Sequence, residues 1–490
     1  MYQPMNVLDA GLLLMESAET PMHIGGVQVL ELPPGAAPDH VYRLYQQMLD
    51  WPASGAPFNF RLARTGRLGL PAWELLPHVD LTEHVFHHAL PWPHGERELM
   101  ALVSRLNSGR LDRSKPMWEQ HLIEGLAGGR YATFTRIHHA LMDGQWGMRL
   151  AFETTSTDPN ETGLPPYWGV HFGAATRKAG AGALAEAADA ESWWARQSRT
   201  YAQGVKTLGE LRTAFGRVVE SFRHPTDDGL VPIYTAPESL LNGPLTPRRE
   251  LAVVRLDLER IKRLAHAHTA TVNEVVLTLC GSALRRYLIA RGELPERPLI
   301  ANMPIAMQRP GGAPGGNALI SGMVSLGTHI EDPERRFSAV RGSSRHAKAF
   351  FRDMPSQAAV SAYLGVTGIP FVLAQATGNV ERVHPQNLVI SNVPGPREKR
   401  YVNGALILAE YPMSLLIPGQ AMNITVVSHA DRLDVAVLVC PSLVPHPERV
   451  AQGIASALDE LDAALAAAPV PAPAPPPAPR KTRSRRKPAP

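Results

Sequence analysis

The chain has 490 residues, 44% hydrophobic and 19% charged, which is more than one hydrophobic core usually organises. Six basic residues in Arg480–Lys487 account for the formal net charge of +4, so the rest is close to neutral and nucleic-acid binding is not expected. Two cysteines, Cys280 and Cys440, lie in separate apolar stretches, which argues against a disulfide framework or a zinc site.

Residues 1–26 lack the basic start and apolar centre of a secretory signal. No apolar run reaches the roughly 18 residues that indicate a membrane span. We therefore expect a cytoplasmic protein, and leave open peripheral contact with the inner membrane face or with lipid inclusions.

The first domain is predicted at residues 1–175. Apolar residues at helical spacing predict a helix over 98–106, and aromatic and β-branched residues predict a strand at Tyr131–Ile137. A segment rich in Ala, Glu and Arg follows, and we interpret residues 176–239 as a helical connection.

The second domain is predicted at residues 240–467. One apolar stripe predicts a helix at Val272–Ile289, with Gly292 just past its end. Strands are predicted at Asn387–Ile390 and Leu433–Val439. Helices and strands alternate in both halves, which favours an α/β or α+β class with two lobes. Residues 468–490, first Pro/Ala-rich and then basic, are predicted to be a disordered tail.

The segment His138–Gly144 follows the predicted strand and contains the candidate catalytic residues. Neighbouring residues on a strand point to opposite faces, so only one of His138 and His139 is expected to face a cleft. Asp143 is placed to cap a helix from Gln145 onward. A histidine suits general acid–base catalysis because its imidazole titrates near neutral pH.

An ordinary turn is the competing interpretation of this segment, since His87–His88 is another histidine pair in the same chain. A metal site is less favoured, because neighbours on a strand diverge and no further ligand stands at zinc spacing. The residue types alone leave the catalytic interpretation and the turn open.

Several further segments match motifs of one known family, and they occur along the chain in the same order as in that family. His138–Gly144 matches HHxxxDG, and the chain resembles the bacterial wax ester synthase/diacylglycerol acyltransferase family, within the superfamily of chloramphenicol acetyltransferase and peptide-synthetase condensation domains. The other matching segments are Leu8–Glu16, Pro21–Gly26, Leu111–Glu119, Thr271–Glu274, Gly316–Asn317 and Ser391–Pro396. The resemblance covers residues 8 to about 467.

This resemblance implies two chloramphenicol-acetyltransferase-like lobes with a tunnel between them. It implies His139 as general base, with His138 as a packing and positioning residue. Asp143 and Gly144 would set the geometry of the loop, and Arg309 is a candidate partner of Asp143 from the other lobe.

Two asparagines are further site candidates by the same resemblance. Asn273 and Asn392 would line the tunnel or position substrate. Glu274 stands where the family has Asp, and Thr271 with Glu274 also fits a helix capping box. Gln308 likewise stands where the family has Arg.

The implied activity transfers a long-chain acyl group from acyl-CoA to diacylglycerol or a fatty alcohol. The product would be triacylglycerol or wax ester; acyl-CoA is a substrate, and no cofactor or metal is expected. His139 would take the hydroxyl proton, and the CoA thiol, of pKa about 8.5, leaves readily, so no covalent acyl-enzyme is required. The alternatives are condensation on carrier-protein thioesters and a non-catalytic lipid-binding role. The basic tail is either a solvated segment or a contact for anionic lipid.

Overall fold

The computed structural model describes residues 2–5, 7–65, 69–142, 144–170, 226, 228–307, 318–354, 363, 366–370, 373–374, 377, 379 and 383–467. Most of the predicted helical connection and all of the predicted tail lie outside these ranges. Asp143, Arg309 and Gly316–Asn317 also lie outside them.

Fifteen strands and eight longer α-helices are described in these ranges. The strands are β1 (Tyr2–Pro4), β2 (His23–Glu31), β3 (Phe60–Thr65), β4 (Leu70–Leu75), β5 (Val85–Ala89), β6 (Trp118–Leu126), β7 (Arg130–His138), β8 (Glu250–Asp257), β9 (Ile300–Met307), β10 (Ala318–Ser325), β11 (Leu388–Val393), β12 (Tyr401–Val402), β13 (Ala405–Met413), β14 (Met422–His429) and β15 (Arg432–Val439). The helices are α1 (Val7–Met15), α2 (His40–Leu49), α3 (Glu96–Asn107), α4 (Gly144–Glu153), α5 (Leu258–Ala267), α6 (Val272–Arg291), α7 (Pro333–Arg352) and α8 (Pro447–Ala467).

The first six-stranded sheet has the order β12-β13-β2-β7-β6-β5. β7 lies inside it, antiparallel to β2 along nine residue pairs and antiparallel to β6 on its other edge. One face packs with α3 in a core that includes Phe134, and the other face forms a second core that includes Ile137. Buried on both faces, β7 ends at a fixed position, and that end carries the histidine pair.

The second six-stranded sheet has the order β10-β9-β11-β14-β15-β8. β11 is parallel to β9 and to β14. Leu433–Val439 of β15 is buried throughout, as a strand covered on both faces requires. A third sheet, with the order β1-β4-β3, is smaller.

The two larger sheets are not built from separate halves of the chain. β12 and β13, which the sequence assigned to the second domain, lie in the first sheet, where β13 pairs with β2 and β12 pairs with β13. β13 also contacts the second sheet, where the Glu410 amide donates to a carboxylate oxygen of Asp434 at 2.8 Å. Residues 401–413 therefore tie the lobes together, and the division at residue 240 does not describe this segment. Backbone pairing, which sequence periodicity does not reveal, decided where it lies.

Two predicted helices and three predicted strands agree with the structure, whereas residues 228–239 of the predicted helical connection are described and contain no helix. The helix expected over 98–106 is α3, and the one expected at Val272–Ile289 is α6. Thr271 caps α6, and Gly292 ends it at φ +70°, a left-handed conformation that glycine adopts without strain. The strand predictions correspond to β7, β11 and β15.

None of the helices in the described part of the chain combines the length and the apolar character needed to cross a membrane.

Candidate active site

The histidine pair lies where β7 ends. His138 is the last residue of the strand and pairs with His23 of β2, and the chain then turns through residues 139–141 into α4. The His139 amide donates to the Met22 carbonyl at 2.8 Å, and the Leu141 amide donates to the His138 carbonyl at 2.8 Å. These bonds fix the backbone of His139 on both sides.

The two side chains have different surroundings, as alternation along a strand predicts. His138 is 0% exposed, whereas His139 is half-buried. The Ala140 amide donates to Nδ1 of His138 at 3.1 Å, which folds the turn around the imidazole ring. His138 therefore serves the structure of the loop, and His139 is the more accessible of the two.

Burial lowers the pKa of His138 to about 4, although the nearby Glu16 carboxylate acts in the opposite direction. At neutral pH the ring is therefore uncharged. Burial likewise lowers the pKa of His23, its neighbour on β2, to about 3, and the Arg136 guanidinium contributes. Two neutral histidines thus lie behind the turn, and His138 is a poor candidate for the proton acceptor of a reaction near pH 7.

A charged group lies directly behind the pair. The Glu16 side chain is 1% exposed, and its Oε1 lies 3.6 Å from Nε2 of His138. Arg113 donates through Nε to Oε2 of Glu16 at 2.9 Å and through Nη2 to the Leu13 carbonyl at 2.8 Å. The ion pair compensates the carboxylate for the water it lost on burial.

Glu16, Met22 and Arg113 lie in segments that resemble the family, but the sequence alone predicted no role for them. Glu16 follows the last residue of α1, Met22 precedes β2, and Arg113 lies in the segment before β6. The available signal was an acidic residue directly after an apolar helix, in a segment that resembles the family.

Gly25 shows how tightly β2 approaches β7. A Cβ atom built on Gly25 would lie 2.1 Å from the carbonyl oxygen of Thr135, far inside van der Waals contact. The glycine in the Pro21–Gly26 segment therefore permits the strand pairing that places His23 beside His138. Gly25 therefore lets the two backbones approach closely, three residues after Met22.

The two asparagine candidates lie in the other half of the molecule. Asn273 is in the first turn of α6, and its amide donates to Sδ of Met303 on β9 at 2.9 Å. Asn392 lies on β11, partly buried, opposite Val426 of β14. β9 and β11 are neighbours in the second sheet, so Asn392 belongs to that sheet and Asn273 contacts it from α6, whereas the histidines end a strand of the first sheet.

Glu274 completes the capping box that the sequence allowed. The Thr271 hydroxyl accepts from the Glu274 amide at 3.3 Å, and the Glu274 carboxylate accepts from the Thr271 amide at 2.9 Å. The carboxylate is also paired with Arg345 at 3.4 Å and Lys348 at 4.0 Å. These contacts make Glu274 a structural residue at the start of α6.

Cys280 is buried in the core on α6, and burial raises the pKa of its thiol to about 12, which is unsuited to a nucleophile. Gly144 begins α4, as predicted for the helix after the motif. Among the described side chains, no group of three or more His, Cys, Asp or Glu residues is arranged to hold a metal ion.

Comparison with known proteins identifies the family. Residues 5–276 match the model of the wax ester synthase/diacylglycerol acyltransferase catalytic domain, and residues 315–462 match that of the WS/DGAT C-terminal domain. The chain belongs to the wax ester synthase/diacylglycerol acyltransferase family. It is therefore an acyltransferase, as the sequence predicted.

Individual relatives cover nearly the whole chain. A putative diacylglycerol O-acyltransferase of Mycobacterium tuberculosis is 35% identical over 466 residues, which are 94% of this chain and 100% of the relative. The O-acyltransferase WSD of Acinetobacter baylyi is 33% identical over 91% of this chain and 94% of its own length.

Solved structures extend the likeness to the fold. The wax ester synthase/diacylglycerol acyltransferase of Marinobacter aquaeolei superposes with a TM-score of 0.74 at 31% identity, covering 94% of this chain and 99% of that one. The first condensation domain of the CDA synthetase superposes with a TM-score of 0.53 at 15% identity, covering 94% and 96%, a likeness of fold alone. The predicted class, a mixed α/β fold of two chloramphenicol-acetyltransferase-like lobes, is confirmed.

Proposed function

We propose that the protein transfers a long-chain acyl group from acyl-CoA to the hydroxyl of diacylglycerol or of a fatty alcohol. The observation that carries the proposal is the turn after β7, which buries His138 as a neutral ring and leaves His139 as the accessible imidazole. Whole-length likeness to a family of acyltransferases supports the same chemistry.

The proposed reaction needs one proton acceptor that becomes a proton donor. His139 accepts the hydroxyl proton while the acceptor oxygen attacks the thioester carbonyl. The C–S bond then breaks, and the imidazolium returns the proton to the departing thiolate, so that ester and free CoA result. No acyl-enzyme is formed, and no metal or cofactor takes part.

Roles at the other proposed positions are those that the family resemblance implies. We propose that His138 supports the turn and that Asp143 and Gly144 set the geometry of the loop. Asn273 and Asn392 are proposed to face substrate in a tunnel between the lobes, and Arg309 to partner Asp143.

The activity is tested by supplying the purified protein with labelled acyl-CoA and either diacylglycerol or a fatty alcohol. We expect ester and free CoA in equal amounts with at least one acceptor. Absence of ester with both acceptors would refute the proposal. Transfer from a carrier-protein thioester, but not from acyl-CoA, would instead support condensation chemistry. The likeness to condensation domains is one of fold alone.

The role of His139 is tested by His139→Ala. Loss of a general base lowers kcat by roughly 10²–10⁴-fold. The matched control is His446→Ala, since His446 is an exposed histidine whose ring is paired with Glu448 at 3.2 Å. Near-normal turnover by a folded His139→Ala protein, checked by circular dichroism, would exclude His139 as the base.

We further propose that the protein takes its acceptor from a lipid surface. In the helical residues 366–370 and 373–374, Thr367 is buried whereas Val366, Ile369 and Leu373 are 45%, 51% and 59% exposed. Their spacing puts these apolar side chains on one helix face. Residues 354–380 contain no charged side chain, which suits contact with a bilayer or a lipid inclusion.

A further inference from the structure

The strongest unassigned feature of the molecule is the buried carboxylate of Glu16. It lies just past the end of α1 and is reached by groups from three other parts of the chain. Oε2 accepts from Arg113, and Oε1 accepts from the Met22 amide at 3.2 Å and lies 3.6 Å from Nε2 of His138. A carboxyl group whose side chain is 1% exposed needs polar partners of this kind, because burial has removed its contact with water.

The tautomer of His138 follows from its two ring nitrogens. An amide N–H can only donate, so Nδ1, which accepts from Ala140, carries no proton. The neutral ring therefore carries its proton on Nε2, the nitrogen that faces the Glu16 carboxylate. A carboxylate next to an imidazole N–H is the usual arrangement that fixes the tautomer and orientation of a histidine.

The backbone of His139 depends on the same carboxylate by a second route. The Met22 amide donates to Glu16, and the carbonyl of the same residue accepts the His139 amide at 2.8 Å. The Glu16 carboxylate therefore faces the ring of His138 at 3.6 Å and is linked to the peptide of His139 through two hydrogen bonds of Met22. Loss of the Glu16 charge would therefore loosen both the His138 ring and the His139 backbone.

We propose that Glu16, held by Arg113, is a positioning residue that sets the ring of His138 and the backbone of His139 in the orientation required for proton transfer. This inference rests on the proposed role of His139 as the base. Glu16 itself does not touch substrate; it acts through His138 and Met22.

The central variant is Glu16→Gln, which removes the charge and keeps the length of the side chain. We expect kcat to fall about 10- to 100-fold while KM for acyl-CoA and for the acceptor changes less than threefold, because a 1 Å misplacement of a catalytic group can cost about 10²-fold in rate. The matched control is Glu19→Gln, since the Glu19 side chain is exposed and its carboxylate accepts from the Ser17 hydroxyl at 2.9 Å. Wild-type kcat in folded Glu16→Gln, or a loss confined to KM, would overturn the proposal.

A double-mutant cycle separates positioning from a merely structural role. If Glu16 acts through His138, the loss in kcat for Glu16→Gln with His138→Asn is smaller than the product of the two single losses. Losses that multiply independently would contradict the inference. If Glu16→Gln does not fold, the same cycle with Arg113→Gln serves, with an expected single loss of about three- to tenfold.

A measurement without turnover distinguishes this inference from the proposed function. Nitrogen-15 NMR of the labelled histidines in the wild-type protein, with His138→Asn to assign the signal, reports the tautomer directly. We expect the proton of His138 on Nε2. A proton on Nδ1 would overturn the positioning geometry even if the protein makes ester, whereas the expected tautomer in a protein that makes no ester would refute the proposed function alone.

Discussion

Adjacent positions on one strand give the two motif histidines opposite properties. His138 points into a core where water is excluded, so its ring is held neutral, and His139 turns toward the accessible side. The difference arises from the pleat of β7 and from the turn that follows it, since both residues have the same side chain. A proton acceptor needs access to the reacting hydroxyl, and burial has removed that access from His138.

Buried neutral histidines make stability depend on pH. The folded-state pKa values of His23 and His138, about 3 and about 4, lie below the ordinary value of 6.5. Between pH 6.5 and these values the unfolded chain binds protons that the folded chain does not, so stability is lost as the pH falls. Each group contributes a loss of about 2 kcal/mol between pH 7 and pH 5.

This pH dependence is measured by urea unfolding of the wild type at pH 7 and pH 5. His23→Gln, which cannot take up the proton, is expected to show a smaller loss between the two pH values. The exposed His446 supplies the control, because His446→Gln should leave the difference unchanged. An unaltered difference in His23→Gln would show that His23 does not carry the effect.

At the scale of single elements, α6 illustrates how a helix start is specified locally. Thr271 and Glu274 satisfy each other's amide groups, and the carboxylate is held by cations of α7. The position that resembles a family motif is therefore also a capping box. Asn273, between the two capping residues, is held in place by this geometry.

The cap is tested by Thr271→Ala, which removes the hydroxyl that accepts from the Glu274 amide. The free energy of unfolding should fall by about 1 kcal/mol. Thr271→Ser keeps the hydroxyl and should retain most of the stability. Chemical denaturation compares the three proteins, and equal stability of wild type and Thr271→Ala would mean that the cap contributes little.

At the scale of the whole molecule, β13 joins the lobes. Its alternating burial places Ala405, Ile407, Ala409, Tyr411 and Met413 inward along the strand. Burial raises the pKa of Asp434, which accepts the Glu410 amide across this junction, to about 7. The lobes therefore share both an apolar core and a buried polar contact, which suits a site that draws residues from both.

The proposed lipid contact also belongs to this scale. Val366, Ile369 and Leu373 replaced together by Ser should lower the fraction of protein bound to vesicles of phosphatidylcholine and phosphatidylglycerol containing diacylglycerol. Turnover on a short-chain, water-soluble alcohol should be unchanged. The control is Ile289→Ser on α6, where the side chain is 50% exposed. Vesicle binding equal to that of the wild type would place the lipid contact elsewhere.

The sequence by itself determined the local features of this protein. Periodicity and caps predicted α3, α6, β7, β11 and β15, because apolar spacing and capping residues act over a few neighbouring positions. The motifs, found in the expected order along the chain, predicted the family and singled out the histidine pair as the candidate site. They also predicted that one histidine would be hidden, since alternation along a strand is a local property.

Only the tertiary structure decided which groups surround that pair. Glu16, Met22 and Arg113 are distant from His138 along the chain, and they meet because β2 pairs with β7 and α1 packs beside the turn. The placement of β13 in the first sheet was decided in the same way. Pairing between distant strands and compensation of a buried charge depend on the whole fold, so no spacing in the sequence reveals them.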